Sequence, residues 1–132
     1  MKRKILVFAV VAVCTVLFVS CKKDDSVVST NEFKITSISP AKGALNVKPD
    51  AKIVVVFNKK PALLTAYGTG VEFFSNSGIA TVIVTYDNAF TVTYTPKERL
   101  SNSTEYKFSL KGATALDGTV LPDLMSTFTV EK

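Results

Sequence analysis

The sequence contains no histidine and no tryptophan, and it has only two cysteines in 132 residues. Without histidine, Ser-His-Asp catalysis, Cys-His catalysis and every histidine-ligated metal site are excluded. Without tryptophan, a sugar-stacking platform would depend on the four tyrosines. Hydrophobic residues make up 47% and charged residues 20% of the chain, which is the balance of a globular protein with room for one domain.

Charge is unevenly distributed along the chain. The formal net charge is +5, and three basic residues lie within the first four positions. An uncharged apolar stretch follows, Ile5–Val19, which is short for a membrane span of about 20 residues. The small residue Ser20 then precedes Cys21. A basic start, an apolar stretch of this length and a small residue before the cleavage site predict a secretory signal peptide over residues 1–20.

The residues that end this stretch, Leu17-Phe18-Val19-Ser20-Cys21, resemble the lipobox of bacterial lipoproteins. In that family the cysteine is lipidated and becomes the new N-terminus, so the resemblance implies palmitate on Cys21 and attachment to a membrane through it. Phe18 stands where the family usually has leucine. Cys14 is the poorer lipidation candidate, because the apolar run continues past it. The alternative is an uncleaved N-terminal membrane anchor.

Residues 21–33 are predicted to be the lipidated cysteine and a flexible tether. Lys23-Asp24-Asp25 resembles the surface-export signal of Bacteroidetes lipoproteins, and Asp25-Ser26-Val27 resembles the O-glycosylation motif of the same phylum, which would place a sugar on Ser26. A hydrated linker without either role is the alternative for both motifs. The resemblance implies an outer membrane lipoprotein of the bacterial cell envelope, facing either the periplasm or the cell surface.

Signal peptide cleavage would change the composition of the mature chain. It would remove three of the 16 basic residues and none of the 11 acidic ones, which leaves a net charge of +2. No basic stripe remains, so we expect no nucleic acid partner. The folded part would have no cysteine, and therefore neither a disulfide nor a thiolate site. We expect no metal and no cofactor.

The residues from position 34 onward form one domain, 34–132, in which apolar and polar residues alternate with a period of two. That period predicts β-strands with one face in the core. Turn signals separate the runs, such as Asn76-Ser-Gly78 and Asp117-Gly118. Residues 62–67 could form a single helical turn. We predict about seven strands in a two-sheet antiparallel sandwich: Lys34–Ser39, Ala51–Phe57, Val71–Ser75, Ile79–Tyr86, Phe90–Thr95, Glu105–Lys111 and Ser126–Glu131.

Several short segments, taken in order, resemble the bacterial Ig-like domain found in S-layer proteins and tandem surface modules. They are Ile38–Pro40, Gly43–Val47, Ile53–Phe57, Leu100–Tyr106, Leu116–Leu121 and Phe128-Thr129. The resemblance covers residues 34–131 and implies an all-β, Ig-like antiparallel β-sandwich with Greek-key connections. It also implies the role of a spacer or adhesion module, which in that family usually lies beside a functional domain.

Tyr106 follows a polar corner, Ser101–Thr104, and begins a predicted strand. This placement resembles the tyrosine corner of Greek-key sandwiches, in which the hydroxyl group bonds to nearby backbone. A ligand contact is the alternative for Tyr106. The structural role is favoured, because Phe108 and Leu110 share its strand face.

Candidate catalytic groups are sparse. Most carboxylates fall in predicted turns or on outward strand faces, and we assign no catalytic residue. Asp117 and Asp123 flank one loop and could bind calcium weakly, although their spacing matches no calcium motif and a polar turn is the favoured alternative. A glycosidase pair remains an open alternative.

The best candidate for ligand binding is the longest connection, Asn58–Gly70. Loops on rigid sandwiches commonly carry function. Its candidate ligand-binding residues are Lys59, Lys60 and Tyr67. The favoured alternative is that Leu63, Leu64 and Tyr67 fold back and cap the core.

These observations predict a lipid-anchored cell-envelope module with a non-catalytic binding or assembly role. A protein partner is the favoured ligand, and an added β-strand at a sheet edge is one general way to bind it. A surface glycan is the first alternative, and a small hydrolase is the second.

Overall fold

Nine strands and no helix make up the part of the chain that the computed structural model describes, residues 31–63 and 70–132. No segment within those ranges is therefore a helix able to cross a membrane. The predicted signal peptide, Cys21 and Ser26 lie outside the described residues. The strands are β1 (Ile35–Ser39), β2 (Ala44–Val47), β3 (Ile53–Phe57), β4 (Val71–Ser75), β5 (Gly78–Ile79), β6 (Val82–Tyr86), β7 (Thr91–Pro96), β8 (Glu105–Leu110) and β9 (Leu124–Val130).

The strands form two sheets, with the orders β1-β3-β7-β6 and β2-β9-β8-β4-β5. All neighbours pair antiparallel except β2 and β9, which are parallel. The first sheet has the A-B-E-D strand order of immunoglobulin sandwiches, and β9, β8 and β4 take the places of G, F and C in the second. The predicted all-β, Ig-like sandwich is confirmed.

Alternation along the strands builds the core between the two sheets. In β3, the side chains of Ile53, Val55 and Phe57 are buried, and the residues between them are half-buried. Across the sandwich, Phe108 of β8 packs against Tyr94 of β7 with ring centroids 4.9 Å apart. This contact joins the two sheets directly, within a cluster of buried apolar side chains from both.

Phe33 corrects the predicted start of the domain. This residue ends the predicted tether, but its side chain is 0% exposed and its ring stacks on that of Phe57, with centroids 5.2 Å apart. The side-chain amide of Asn58 donates to the Glu32 carbonyl at 2.8 Å, and its Oδ1 accepts from the Lys34 N–H at 2.8 Å. The folded domain therefore begins before residue 34.

Two strand predictions were incomplete. The run Ile79–Tyr86 was predicted as one strand, but it forms β5 and β6, which belong to different sheets. Ala80 and Thr81 carry the chain across the edge of the sandwich between them. Strand β2 was not predicted, and its residue Asn46 has a φ of 57°, which breaks the regular alternation of the strand. These two differences raise the number of strands from about seven to nine.

The tyrosine corner is confirmed. The backbone N–H of Ser101 donates to the Tyr106 hydroxyl at 2.9 Å, and the Tyr106 side chain is 6% exposed. The ring also stacks on Phe73 at 5.2 Å. Tyr106 therefore joins the core to the connection between β7 and β8.

Candidate functional site at the loop end

Three connections meet at one end of the sandwich, which we call the loop end: residues 58–63, 87–90 and 111–121. The Phe57 N–H donates to the Phe90 carbonyl at 2.8 Å. The Leu116 N–H donates to the Lys60 carbonyl at 3.0 Å, and the Ala62 N–H donates to the Thr114 carbonyl at 2.8 Å. Backbone hydrogen bonds thus fix the described parts of the three loops relative to one another.

Lys59 ties these loops to the N-terminal segment. Its ammonium group donates to the Asn31 carbonyl, to Asp117 Oδ2 at 2.8 Å and to Thr119 Oγ1 at 3.1 Å. The Lys59 side chain is only 17% exposed. An ammonium group has three N–H donors, and these three contacts engage all of them. The predicted role of Lys59 in ligand binding would require at least one of these bonds to break.

Asp117 is held in its ionised form by the same contacts. Hydrogen bonds from the Lys59 ammonium, the Thr119 hydroxyl and the Thr119 backbone N–H hold the pKa of its carboxyl well below the usual range. The Thr119 N–H lies 2.9 Å from Asp117 Oδ1. Because both carboxylate oxygens already accept hydrogen bonds, the turn role of Asp117 is favoured over calcium binding. The described residues contain no group of three or more ligating side chains that could hold a metal ion.

An apolar groove of about 490 Å³ lies at the loop end. Its walls come from all three connections and the end of β6: Lys60, Pro61, Leu63, Tyr86, Asn88, Ala89 and Leu116. The side chains of Leu63 and Leu116 are 75% and 63% exposed, and the Leu116 backbone N–H donates to the Lys60 carbonyl. The loop end therefore presents a fixed apolar surface to its surroundings.

Lys60 is the cationic residue of the groove. Among the residues that the structure describes, its ammonium group takes part in no ion pair, whereas Lys34, Lys59 and Lys111 each do. Of the three predicted binding residues, Lys60 lies on the groove and Tyr67 lies outside the described residues. Lys59 instead donates hydrogen bonds to Asp117 and Thr119. The predicted binding roles of all three remain predictions.

Sequence reasoning missed Tyr86, Asn88 and Leu116 as groove residues. Leu116 directly precedes the predicted turn Asp117-Gly118, in a segment that resembles the Ig-like domain, and no binding role was predicted for it. A large aliphatic residue inside a turn motif was the available signal, because turns usually carry small or polar residues. Tyr86 ends a strand, and no pattern in the sequence indicates which loops lie beside it.

A second depression of about 270 Å³ lies towards the opposite end of the sandwich, beside the turn between β4 and β5. Lys97, Glu98 and Arg99 contribute to its lining, as does Tyr106, whose hydroxyl is engaged by Ser101. It combines these charged residues with serines and with apolar residues such as Ile79 and Leu100, so its lining is more polar than that of the groove. The two surfaces therefore differ in chemistry as well as in position.

The sequence profile of the bacterial Ig-like domain matches residues 29–130. The chain belongs to the bacterial Ig-like domain family. The profile begins before residue 34, in agreement with the buried position of Phe33. A search of the curated proteins finds no match.

Solved structures with the same fold come from S-layer proteins and from L,D-transpeptidases. Domains 1–6 of the surface layer protein SbsC superpose with a TM-score of 0.57 at 16% identity, over 80% of this chain and 14% of that one. L,D-transpeptidase 3 from Mycobacterium tuberculosis gives 0.51 at 16% identity, over 74% and 37%. The L,D-transpeptidase from Mycobacterium smegmatis gives 0.52 at 16% identity, over 75% and 40%.

The bacterial Ig-like domain described here spans only 14 to 40% of the length of those three proteins. At these identities the likeness establishes a shared fold, and it carries neither the activity nor the partners of the larger chains. A bacterial Ig-like domain fits a non-catalytic module of the cell envelope.

Proposed function

We propose that this bacterial Ig-like domain is a lipid-anchored cell-envelope module that binds a protein partner through the groove at its loop end. The observation that carries the proposal is the groove itself, with two highly exposed leucines on hydrogen-bonded loops. Grouped apolar side chains on a rigid surface are typical of interaction sites.

The lining of the groove favours one kind of partner. Pro61, Leu63, Ala89 and Leu116 offer aliphatic contact area. Such contacts suit the apolar side chains of a protein better than the hydroxyl groups of a glycan, which need hydrogen-bond partners when they lose water. Lys60, which forms no ion pair with the part of the chain that the structure describes, adds a preference for a neighbouring carboxylate. The expected partner segment therefore combines an aliphatic side chain with an aspartate or glutamate.

The proposed anchor agrees with the position of the N-terminal segment. Asn31 is hydrogen-bonded to Lys59, so the chain enters the domain at the loop end. Asn31 lies ten positions after Cys21, and an extended segment of that length reaches about 35 Å. A lipid on Cys21 would keep the loop end within that distance of the outer membrane, where a partner in or on the same membrane could reach the groove.

Site-specific photo-crosslinking in the full chain tests the binding surface. A photoreactive residue at Leu116 is expected to give an adduct with one envelope protein in the native cells. The matched control is Met125, which is also exposed (52%) but lies on β9, outside the groove. Lys60→Glu should reduce the adduct at Leu116 by reversing the local charge. An equal yield from both positions, or an adduct indifferent to Lys60→Glu, would contradict the proposed site.

Metabolic labelling with a palmitate analogue tests the proposed anchor separately. The full chain should incorporate the label and remain with the membrane fraction. Cys21→Ser should abolish both properties, whereas Cys14→Ser should leave them intact. Label retained in Cys21→Ser would show that the lipid assignment is wrong without affecting the groove.

A further inference from the structure

The two sheets have four edge strands, and three of them are poorly suited to pairing with a new strand. Strand β1 has a register shift between Ile35 and Ser37, and it is followed directly by Pro40. Strand β2 also shifts register along β9, and β5 is only two residues long. Short, irregular or proline-flanked edges are the usual protection against unwanted strand pairing.

Strand β6 lacks all of these protections. It pairs with β7 in five consecutive regular steps, from Val82 opposite Pro96 to Tyr86 opposite Val92. Its sequence, Val-Ile-Val-Thr-Tyr, contains no charge, no proline and no glycine. Within the described residues, β6 pairs with β7 alone. It is therefore a regularly paired edge, rich in β-branched residues and without the usual protection against another strand.

Two hydrogen bonds establish which backbone groups of β6 face outward. The Lys97 N–H donates to the Thr81 carbonyl at 2.9 Å, and the Asp87 N–H donates to the Thr91 carbonyl at 3.0 Å. Antiparallel pairs alternate between hydrogen-bonded and non-hydrogen-bonded positions, so odd-numbered residues of β6 direct their backbone groups to β7. The N–H and C=O groups of Val82 and Val84 must then point away from the sheet. Pro96, which has no N–H, lies opposite Val82, as this alternation allows.

We propose that β6 pairs antiparallel with β6 of a second copy of this chain, with Ile83 on the twofold axis. In this register Val82 of one copy exchanges two N–H···O=C bonds with the partner's Val84. Val84 of the first copy exchanges two more with the partner's Val82, which gives four hydrogen bonds in all. Ile83 lies directly opposite the partner's Ile83. Thr81 lies opposite the partner's Thr85. Each sheet of four strands becomes half of a continuous sheet of eight.

Three features favour a second copy over an unrelated strand. Ile83 is 52% exposed, and in this register it meets its own equivalent at a narrow, non-hydrogen-bonded pair, where cross-strand side chains pack closely. The strand carries no charge, so two copies do not repel each other across the axis. Threonines facing each other at the flanking pairs are also favourable neighbours.

The inference goes beyond the proposed partner role, and Tyr86 is the one groove residue that belongs to β6. Antiparallel pairing directs the loop ends of the two copies away from each other, so both grooves stay accessible. If the proposed lipid anchor is present, both copies share one membrane, which raises their effective concentration. The pairing geometry itself does not depend on the anchor.

Cysteine crosslinking of the full chain in membranes tests the pairing and its register. Non-hydrogen-bonded antiparallel pairs bring Cα atoms to about 4.5 Å, which is within the range that a disulfide can bridge. Ile83→Cys should convert most of the chain to a disulfide-linked dimer under mild oxidation. The matched control is Ile79→Cys, an exposed isoleucine on β5, which should give only the background of the unsubstituted chain with its own cysteines.

The flanking positions distinguish this register from others. Thr81→Cys and Thr85→Cys should each fail to form a dimer alone, and they should form a mixed dimer when two differently tagged chains are expressed together. Dimer formation by Thr85→Cys alone, or no more dimer from Ile83→Cys than from Ile79→Cys, would overturn the proposal. Ile83→Lys should also abolish noncovalent self-association while leaving the Leu116 photo-adduct intact, so failure of one proposal does not imply failure of the other.

Discussion

Hydrogen bonds tie both ends of the sandwich, yet the two ends present different surfaces. At the end opposite the loop end, the Leu100 N–H donates to the Pro49 carbonyl at 2.8 Å, and Tyr106 accepts from Ser101. At the loop end, comparable bonds join three connections, but five of the nine exposed large hydrophobic side chains of the described residues lie there: Leu63, Tyr86, Phe90, Leu116 and Val120. Apolar exposure at the loop end therefore reflects a fixed surface rather than loose packing.

The largest effect that tests this comparison is expected from Phe33, which packs beneath the loop end. Phe33→Ala removes a ring that is 0% exposed and stacked on Phe57, and it should lower the free energy of unfolding by about 3–5 kcal/mol. Phe128→Ala, in the aromatic cluster with Tyr106, is the matched change in the other half of the core. Denaturant unfolding measures both. A loss below about 1 kcal/mol for Phe33→Ala alone would mean that Phe33 belongs to the tether and does not stabilise the loop end.

Gly70 provides the next largest effect, because it brings the loop end close to the chain beyond β8. Its φ is +71°, and an added Cβ would lie 2.5 Å from the Lys111 carbonyl oxygen. Gly70→Ala should therefore cost about 3 kcal/mol or more, since backbone strain and a steric clash act together. Gly43→Ala is the control, because its φ is +78° with no atom near the added Cβ, and it should cost about 1–2 kcal/mol. If Gly70→Ala and Gly43→Ala lose the same stability in thermal unfolding, the close approach of Gly70 to Lys111 adds nothing to the cost of the substitution.

Tyr106→Phe tests the opposite end and should have a smaller effect. The change keeps the ring and removes the acceptor of the Ser101 N–H, so we expect a loss of about 1–2 kcal/mol. Tyr94→Phe is the matched control, because the Tyr94 hydroxyl is buried and has no hydrogen-bond partner among the described residues. Removing that hydroxyl should leave stability unchanged or slightly raised. If both variants unfold alike, the tyrosine corner does not stabilise this end.

Most of the sandwich could be predicted from the sequence, because a period of two directly reflects one buried strand face. The same signal could not separate β5 from β6, since Ile79–Tyr86 alternates without a break and the period does not say which sheet a residue joins. Strand β2 was missed for the opposite reason. It is short, and Asn46 adopts a left-handed conformation within it, so no alternation is visible.

The candidate site was only partly predictable, because it depends on contacts between distant segments. The sequence located the loop from Asn58 to Gly70, and one of its lysines does lie on the groove. It could not show that Lys59 and Asp117, 58 residues apart, form an ion pair, which makes Lys59 a support rather than an open charge. Leu116 joins the groove for the same reason, since only the folded chain brings its loop beside Lys60.

The smallest expected effect concerns the pH dependence of the tie between Lys59 and Asp117. The pKa of Asp117 lies below its usual range in the folded protein, first because Lys59 donates to it and then because Thr119 does. A carboxyl group whose pKa falls on folding stabilises the protein above its unfolded pKa of about 3.9, and this contribution is lost as the pH falls further. The melting temperature should therefore decrease slightly more in the parent chain than in Asp117→Asn between about pH 5 and pH 2.

A double-mutant comparison assigns that pH dependence to the tie. Lys59→Met should remove much of the same acid-sensitive contribution, and combining it with Asp117→Asn should add little, because the two side chains act on one contact. NMR titration of the Asp117 carboxyl measures the pKa directly, and Lys59→Met should raise it. If Lys59→Met leaves the pKa of Asp117 unchanged, Lys59 does not form the ion pair with Asp117 in solution. In that case the Lys59 ammonium group would be available to a ligand, and the prediction that Lys59 binds a ligand together with Lys60 would stand.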